Sequence, residues 1–404
     1  MDYVFCSSIF DMSQYERIRE KSKLPLGLAD HNLNMNIILG LEENIGSPIR
    51  LVNNVQIPNY PNYPKIIFKH QGWQHTKGAE DVNCGFINLP VIKHVSRAFA
   101  TYSELKKIVR ELGENNVCIV TYDLHFGISI AVSKILKKFP DANSCLVMPD
   151  FPIAVLQASS NGNITVKDRI MAKLKSRFIS SYKSYVLLTR QMADVIKGEN
   201  KKYVVMEGIY NNHLPELEPK TYPKKTILYT GQLNPVYGLD NLINAFLKII
   251  SKYDDYELWL CGSGPMIHEI EKLQKEHPQI KYYGYCNADE IRHYQSQATV
   301  LINPRQNAGE YTKYSFPSKT MEYLASGKPM IGYKLDGIPD EYDDYICYVN
   351  DNSVDALADK IIELCSMSNQ ELVEIGKSAR AFILNNKNPK AQCASIVKML
   401  GEFE

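Results

Sequence analysis

The sequence has almost no charge of one sign to spare. Its 404 residues include 46 Lys and Arg against 45 Asp and Glu, so the broad basic surface of a nucleic-acid binder is excluded. Long apolar runs are missing too: no stretch approaches the roughly 18 residues of a membrane span. The N-terminus, Met1-Asp-Tyr-Val-Phe-Cys6, has no basic lead and meets Asp11 early, so neither export nor membrane insertion is expected. None of the nine cysteines lies in a CxxC, and several sit in apolar runs such as Asn116-Val-Cys-Ile-Val120. Buried reduced thiols of a cytosolic protein fit this pattern; a disulfide framework or zinc site does not. A GxxxxGK[ST] loop and a GxSxG elbow are absent, which argues against a phosphate-loop ATPase and an α/β-hydrolase. The acid pairs Asp254-Asp255 and Asp343-Asp344 resemble metal-binding pairs, yet they sit among tyrosines at apparent strand or turn edges. Asn163-Ile-Thr165 matches a glycosylation sequon, which carries little weight without a secretion signal.

Short apolar runs do alternate with amphipathic stretches, the pattern of parallel sheets with crossover helices. Strands are expected at Tyr3–Ser7, Ile49–Asn53, Ile66–His70, Val117–Tyr122, Cys145–Met148, Tyr185–Thr189 and Tyr203–Glu207. Helices are expected from Asp30 as N-cap, over Ser103–Leu112 and over Phe126–Lys138. Pro215, Pro219 and Pro223 mark a linker at 211–225. The alternation then restarts, with strands at Thr226–Thr230, Tyr256–Cys261, Ile280–Tyr283, Thr299–Asn303 and Pro329–Tyr333. The length suits two domains, 1–214 and 222–387, with a C-terminal helix in 388–404 able to pack back on the first. Two doubly wound domains in tandem place a ligand in a cleft between the carboxyl ends of facing sheets.

Helix Pro317–Ser326 has the strongest local chemistry. Pro317 suits its first turn, Ser315 or Ser318 can cap it, and Gly327 with Pro329 ends it. Its N-terminus is a ready site for a diphosphate. Lys319 and Glu322 share a face, able to meet phosphate and ribose; the plain alternative is a solvated i,i+3 ion pair.

Six segments occur in one order. They are Tyr229-Thr-Gly-Gln-Leu233, Gly238-Leu-Asp-Asn-Leu-Ile243, Leu260-Cys-Gly-Ser-Gly-Pro265, Ile280-Lys-Tyr-Tyr-Gly-Tyr285, Val300-Leu-Ile-Asn-Pro304 and Ser315-Phe-Pro-Ser-Lys-Thr-Met-Glu-Tyr-Leu-Ala-Ser-Gly-Lys-Pro329. This order resembles the second domain of GT-B glycosyltransferases, especially glycosyltransferase family 4 (glycosyl transferases group 1) and its bacterial polysaccharide branches. The likeness of the first half is topological only. The resemblance implies an α/β chain of two Rossmann-like domains and a retaining, metal-independent hexosyl transfer from a nucleoside-diphosphate sugar, UDP-linked by expectation. The acceptor would be a glycan or polyprenyl-linked glycan in capsule, exopolysaccharide or cell-wall synthesis, and no cofactor is implied.

By the same resemblance Glu322 is the ribose ligand. Lys319, Ser315, Phe316, Tyr314, Gly231, Gln232 and Gly262 flank the donor, and Tyr285 is placed to stack on the base. The chain also departs from the family. Tyr314 stands where an upstream glutamate is usual, with Glu310 a candidate substitute, and Gln232 and Tyr237 replace an arginine and a lysine. Arg305 is the best substitute cation, with Lys313 and Lys319 nearby. Gly27, Asp30, His31 and His125 are candidates on the acceptor side, and Asp150 stands where relatives place a histidine. Structural roles compete for each of these: a turn for Gly262, loop bonding for Arg305, a helix start for His31 and a strand end for Asp150. Competing activities are a non-catalytic nucleotide-sugar binder and another GT-B enzyme, such as a nucleotide-sugar epimerase or a pyridoxal-phosphate phosphorylase. The basic amphipathic stretch Val166–Ile179, with Ile170, Leu174 and Phe178 beside Lys173, Lys175 and Arg177, is a candidate contact with the cytoplasmic face of an anionic membrane.

Overall fold

The computed structural model describes residues 1–150, 166–196, 201–211, 224–307 and 310–401. The chain divides into two compact units, residues 1–209 with the stretch from 388 onward, and Tyr210–Lys387.

The first unit is built on β1 (Asp2–Ser7), β2 (Arg50–Asn53), β4 (Gln71–Trp73), β5 (Asp81–Asn83), β7 (Val117–Tyr122), β8 (Asn143–Met148), β9 (Ser184–Leu187) and β10 (Lys202–Val205). Their order across the sheet is β10-β9-β8-β7-β1-β2-β5-β4. Every residue of β7 and β8 is buried, as expected of inner parallel strands covered on both faces. Only the edge strand β4 runs antiparallel, against β5. Helix α1 (Tyr15–Lys21) precedes α2 (Leu28–Ile45), which packs with α12 (Pro389–Gly401) around a core containing Phe5, Ile37, Val120 and Ile396. Gly40 permits the approach of these two helices: a Cβ there would lie 2.2 Å from the Pro389 carbonyl oxygen.

Several local expectations are corrected. Helix α2 begins at Leu28 with Gly27 at its N-cap, so Asp30 lies in the first turn rather than capping it. Helix α3 spans Ile92–Leu112, eleven residues longer at its start than Ser103–Leu112, because its first turns bury Lys93 and Arg97 and expose Val95 and Phe99. The Ile66–His70 strand shrinks to β3 (Ile67–Phe68), paired antiparallel with β6 (Phe86–Ile87) apart from the main sheet. Helix α4 covers Phe126–Lys138 and α5 covers Val166–Ile179, as their patterns predict. Most of the proline-marked segment, 212–223, lies outside the described residues.

The second unit has a parallel sheet ordered β13 (Ile280–Tyr282), β12 (Tyr256–Ser263), β11 (Lys225–Gln232), β14 (Val300–Asn303), β15 (Met330–Gly332) and β16 (Cys347–Tyr348). Its crossovers include α6 (Leu239–Ile250), α7 (Ile267–Glu276) and α8 (Ala288–Gln297). Helix α6 buries Leu239, Leu242, Ile243, Phe246 and Ile249 on one face. Helix α9 is Lys319–Ala325, only seven residues, so Pro317 precedes it; Ser318 is the N-cap and makes no side-chain capping bond. Helices α10 (Val354–Cys365) and α11 (Asn369–Asn386) complete the unit, each opened by a serine whose hydroxyl accepts a backbone N–H.

A buried histidine locks the far edge of the first sheet. His75 places Nδ1 2.8 Å from Asp81 and Nε2 2.9 Å from Glu42, while Asp81 also accepts from Leu51 N and Glu42 from Ile49 N. Burial alone would lower its pKa, but bonds and charge from Asp81 and Glu42 raise it to about 9. The folded pKa exceeds the unfolded value, so the stabilisation is complete below about pH 6.5 and disappears as pH rises through about 9. His75→Gln should destabilise the protein by roughly 1–3 kcal/mol at pH 6, and thermal melts of mutant and wild type should converge by pH 10. A constant gap across that range would contradict the clamp.

Candidate functional site

The carboxyl ends of β11, β12 and β14 in the second unit surround a cavity of 580 Å³. Gly231 and Gly262 face each other in the strand register, and a Cβ on Gly262 would come within 1.8 Å of the Gly231 carbonyl oxygen. The backbone here therefore requires glycine for close approach, the structural role weighed for Gly262. Gly231, Gln232, Gly262 and Tyr285 all line the cavity, as do Arg305, Phe316 and Lys319. Tyr285 is 83% exposed, leaving a ring face available to a flat ligand.

Among the described residues, two cations, Arg305 and Lys319, line this cavity and no carboxylate does. Arg305 donates from Nη2 to Ser315 Oγ at 2.8 Å, and its guanidinium lies 5.9 Å from the Tyr237 ring centroid. Ser315 thus orients the arginine. Phe316 is nearly buried against Tyr342, while Tyr314 is half-buried. Neither Ser315 nor Tyr314 lines the cavity. The side chain of Glu310 lies outside the described residues.

Glu322 is not a lining residue either. One of its carboxylate oxygens accepts from Lys319 Nζ at 2.7 Å, and Gln295 Nε2 lies 3.5 Å from the other. The i,i+3 pair anticipated from spacing is therefore formed in this structure, with both side chains more than a third exposed. Sequence reasoning missed the residue that fixes this corner. Tyr323 Oη accepts from Thr230 N at 2.8 Å and donates to Thr230 O at 3.1 Å, tying α9 to the end of β11. Ser263 and Asn303, each inside one of the six ordered segments, also line the cavity, as does Cys286, which directly follows another.

In the first unit, loops at the carboxyl ends of β7 and β8 bring Asp30, Asp123, His125 and Asp150 within electrostatic reach of one another. Burial, then Asp123, raises the Asp30 carboxyl above its ordinary pKa. Desolvation followed by Asp123 and Asp30 does the same for Asp150, against Lys175. His125, the half-buried residue before α4, is held below its ordinary pKa, chiefly by burial. Gly27 sits beside Gln56, whose amide would meet a Cβ at 2.6 Å. Asp123 takes a positive φ of 56°, tolerable for aspartate, and it completes a cluster that sequence reading only partly identified. His31 is the exception. It is 2% exposed, its Nδ1 accepts from Phe10 N at 3.3 Å, and burial lowers its pKa, so its ring belongs to the core and not to an acceptor surface. Among the described residues, no group of three His, Cys, Asp or Glu side chains is arranged to hold a metal ion.

Residues 224–367 match the family described as glycosyl transferases group 1. N-acetyl-alpha-D-glucosaminyl L-malate synthase of Bacillus anthracis is 26% identical over 166 residues, covering 40% of this chain and 41% of that protein. An uncharacterized glycosyltransferase of Haemophilus influenzae is 21% identical over 227 residues, covering 52% and 62%. The chain thus spans less than two thirds of the length of these curated relatives. Among solved structures, sucrose-phosphate synthase from Thermosynechococcus elongatus superposes with a TM-score of 0.62 at 14% identity, covering 100% of this chain and 99% of that one. TarM gives 0.64 at 11% identity, covering 99% of each. At such low identity these superpositions speak to fold alone, and the fold is GT-B. Residues 224–367 thus match the glycosyl transferases group 1 family, within a chain of GT-B fold.

Proposed function

We propose that the protein is a retaining glycosyltransferase that moves a sugar from a nucleoside-diphosphate donor, most simply a UDP-sugar, to a hydroxyl of a glycan or polyprenyl-linked glycan. The observation that carries this reading is the cavity of the second unit, which brings Arg305 and Lys319 together at the carboxyl ends of the strands. A pair of cations at the cavity wall suits a diphosphate, and Tyr285 supplies a surface for the base. Two solved structures of the same fold support the choice of nucleotide, since Anabaena HepE was crystallised with UDP and S. aureus TarM with UDP and an alpha-GlcNAc-glycerol.

The chemistry breaks the bond between the donor's anomeric carbon and the diphosphate oxygen, and forms one from that carbon to the acceptor oxygen. Negative charge grows on the departing diphosphate, and fixed cations at that position lower the barrier. Arg305, oriented by Ser315, takes this role with Lys319, in place of the family's arginine and lysine. With these cations the reaction requires no metal and no cofactor. The acceptor proton passes to the departing diphosphate on the same face, so retention needs no protein nucleophile. Glu322 turns from Lys319 to the ribose hydroxyls when nucleotide binds. In the first unit Asp30, His125 and Asp150 bind the acceptor; carboxyls held above their ordinary pKa accept or share a hydroxyl proton readily. The setting is capsule, exopolysaccharide or cell-wall synthesis, in the cytoplasm and peripherally on the membrane. No helix among the described residues is long and apolar enough to cross a membrane.

Three mutants test the assignment. Arg305→Ala should lower turnover by about 10²-fold, whereas Gln232→Ala, lacking charge, should cost much less. Glu322→Ala should weaken UDP binding by roughly 1.5–3 kcal/mol in a calorimetric titration without Mg²⁺. Equal UDP affinity in that mutant would remove Glu322 from the ribose site. Absence of donor hydrolysis and transfer across a panel of nucleotide sugars, with UDP still bound, would instead favour a non-catalytic sugar-nucleotide binder.

A further inference from the structure

Helix α3 is amphipathic in the wrong sense over its first turns. Lys93 and Arg97 are 5% and 9% exposed, their charged ends donating to the carbonyls of Ile57 and Val55, each at 2.5 Å. Val91, Val95 and Phe99, four residues apart and so in one line, are 74%, 65% and 75% exposed. Val91 takes a φ of 65° in a tight turn closed by Ile92 N bonding to Pro90 O at 2.8 Å, a conformation that costs energy for a β-branched residue. The β3–β6 ribbon extends this surface. Ile67 and Ile87 are direct cross-strand partners, both exposed, and Ile87 N donates to Ser96 Oγ of α3 at 3.1 Å.

The segments that carry this patch are poor in acids. No Asp or Glu occurs between Glu43 and Glu80, nor between Asp81 and Glu104, while exposed Lys65 and Lys69 border the ribbon. An exposed apolar surface bordered by Lys65 and Lys69 suits a partner that is apolar within and anionic at its face. A second copy of this chain does not qualify, because Lys65 and Lys69 would meet their own kind. Helix α5, the basic element noticed in the sequence, has used most of its apolar side. Ile179 is buried and Phe178 packs edge-on against Phe126 at 6.0 Å, leaving Ile170 exposed. Phe126 also meets His94 of α3 at 5.7 Å, which links α5 to α3 through α4.

We propose that the Val91–Phe99 stripe of α3 and the Ile67/Ile87 pair insert into the headgroup region of an anionic bilayer, with Lys65 and Lys69 meeting the lipid phosphates. The inference rests on the peripheral-membrane reading above and names the surface that makes the contact.

Sedimentation of the full chain with phosphatidylcholine vesicles, with and without phosphatidylglycerol, tests it. Wild type should bind only the anionic vesicles, less so as salt rises. Val95→Ser/Phe99→Ser should reduce partitioning by about tenfold or more with an unchanged thermal melt and unchanged UDP binding. The tryptophan emission of Phe99→Trp should shift to the blue on adding anionic vesicles. Wild-type partitioning by the double mutant, together with loss in Lys173→Glu/Arg177→Glu, would overturn the assignment of this surface and leave the peripheral reading standing. Failure of the wild-type chain to bind anionic vesicles at low salt would overturn both.

Discussion

One buried hydroxyl sets the geometry of the second unit. Tyr323 both accepts from and donates to the backbone of Thr230, at the point where β11 ends and the cavity begins. Such a two-way bond, fully removed from water, is costly to leave unmade. It holds a helix of only seven residues against the sheet, and with it Lys319 and Glu322. The neighbouring contact of Gly231 with Gly262 draws two parallel strands together. Without the first constraint the two cations of the cavity would have no common target; without the second the strand ends could not approach as they do.

The electrostatics of the two units differ in a way that suits two substrates. In the second unit, positive charge faces open space, with Arg305 steered by Ser315 and Lys319 held by Glu322. In the first, three aspartates share one neighbourhood and their mutual repulsion, added to burial, raises the carboxyls of Asp30 and Asp150. An anionic donor and a polyhydroxyl acceptor match these environments respectively. The first unit also buries two cations on α3 that lack a carboxylate partner among the described residues; desolvation lowers Lys93 to about 7 and Arg97 to about 9. That inward turn of charge releases apolar side chains to the surface.

Much of this organisation was legible in the sequence because it is written in local patterns. Helix α6 and the fully buried strands β7 and β8 follow directly from apolar patterns, and all six ordered segments fall within residues 224–367, which match the glycosyl transferases group 1 family. The failures share a cause. The start of α3 was missed because tertiary contacts bury its cations and expose its hydrophobic residues, reversing the usual pattern. The strand pairs β4–β5 and β3–β6 are two or three residues long, too short for any period to emerge. His31 read as an acceptor-side candidate or a helix start, yet its ring accepts from the backbone N–H of Phe10 within the core. Tyr323 was invisible for the opposite reason: nothing about one of 26 tyrosines reveals that it bonds a residue 93 positions earlier.

The central claim is that Arg305 and Lys319 read the diphosphate of a nucleotide, and comparing UDP with uridine isolates that interaction. Calorimetry should show UDP binding wild type far more tightly than uridine. In Arg305→Ala that preference should fall by about 10–100-fold, the worth of a lost charged hydrogen bond, with uridine affinity nearly unchanged. Undiminished preference for UDP in Arg305→Ala/Lys319→Ala would contradict the account.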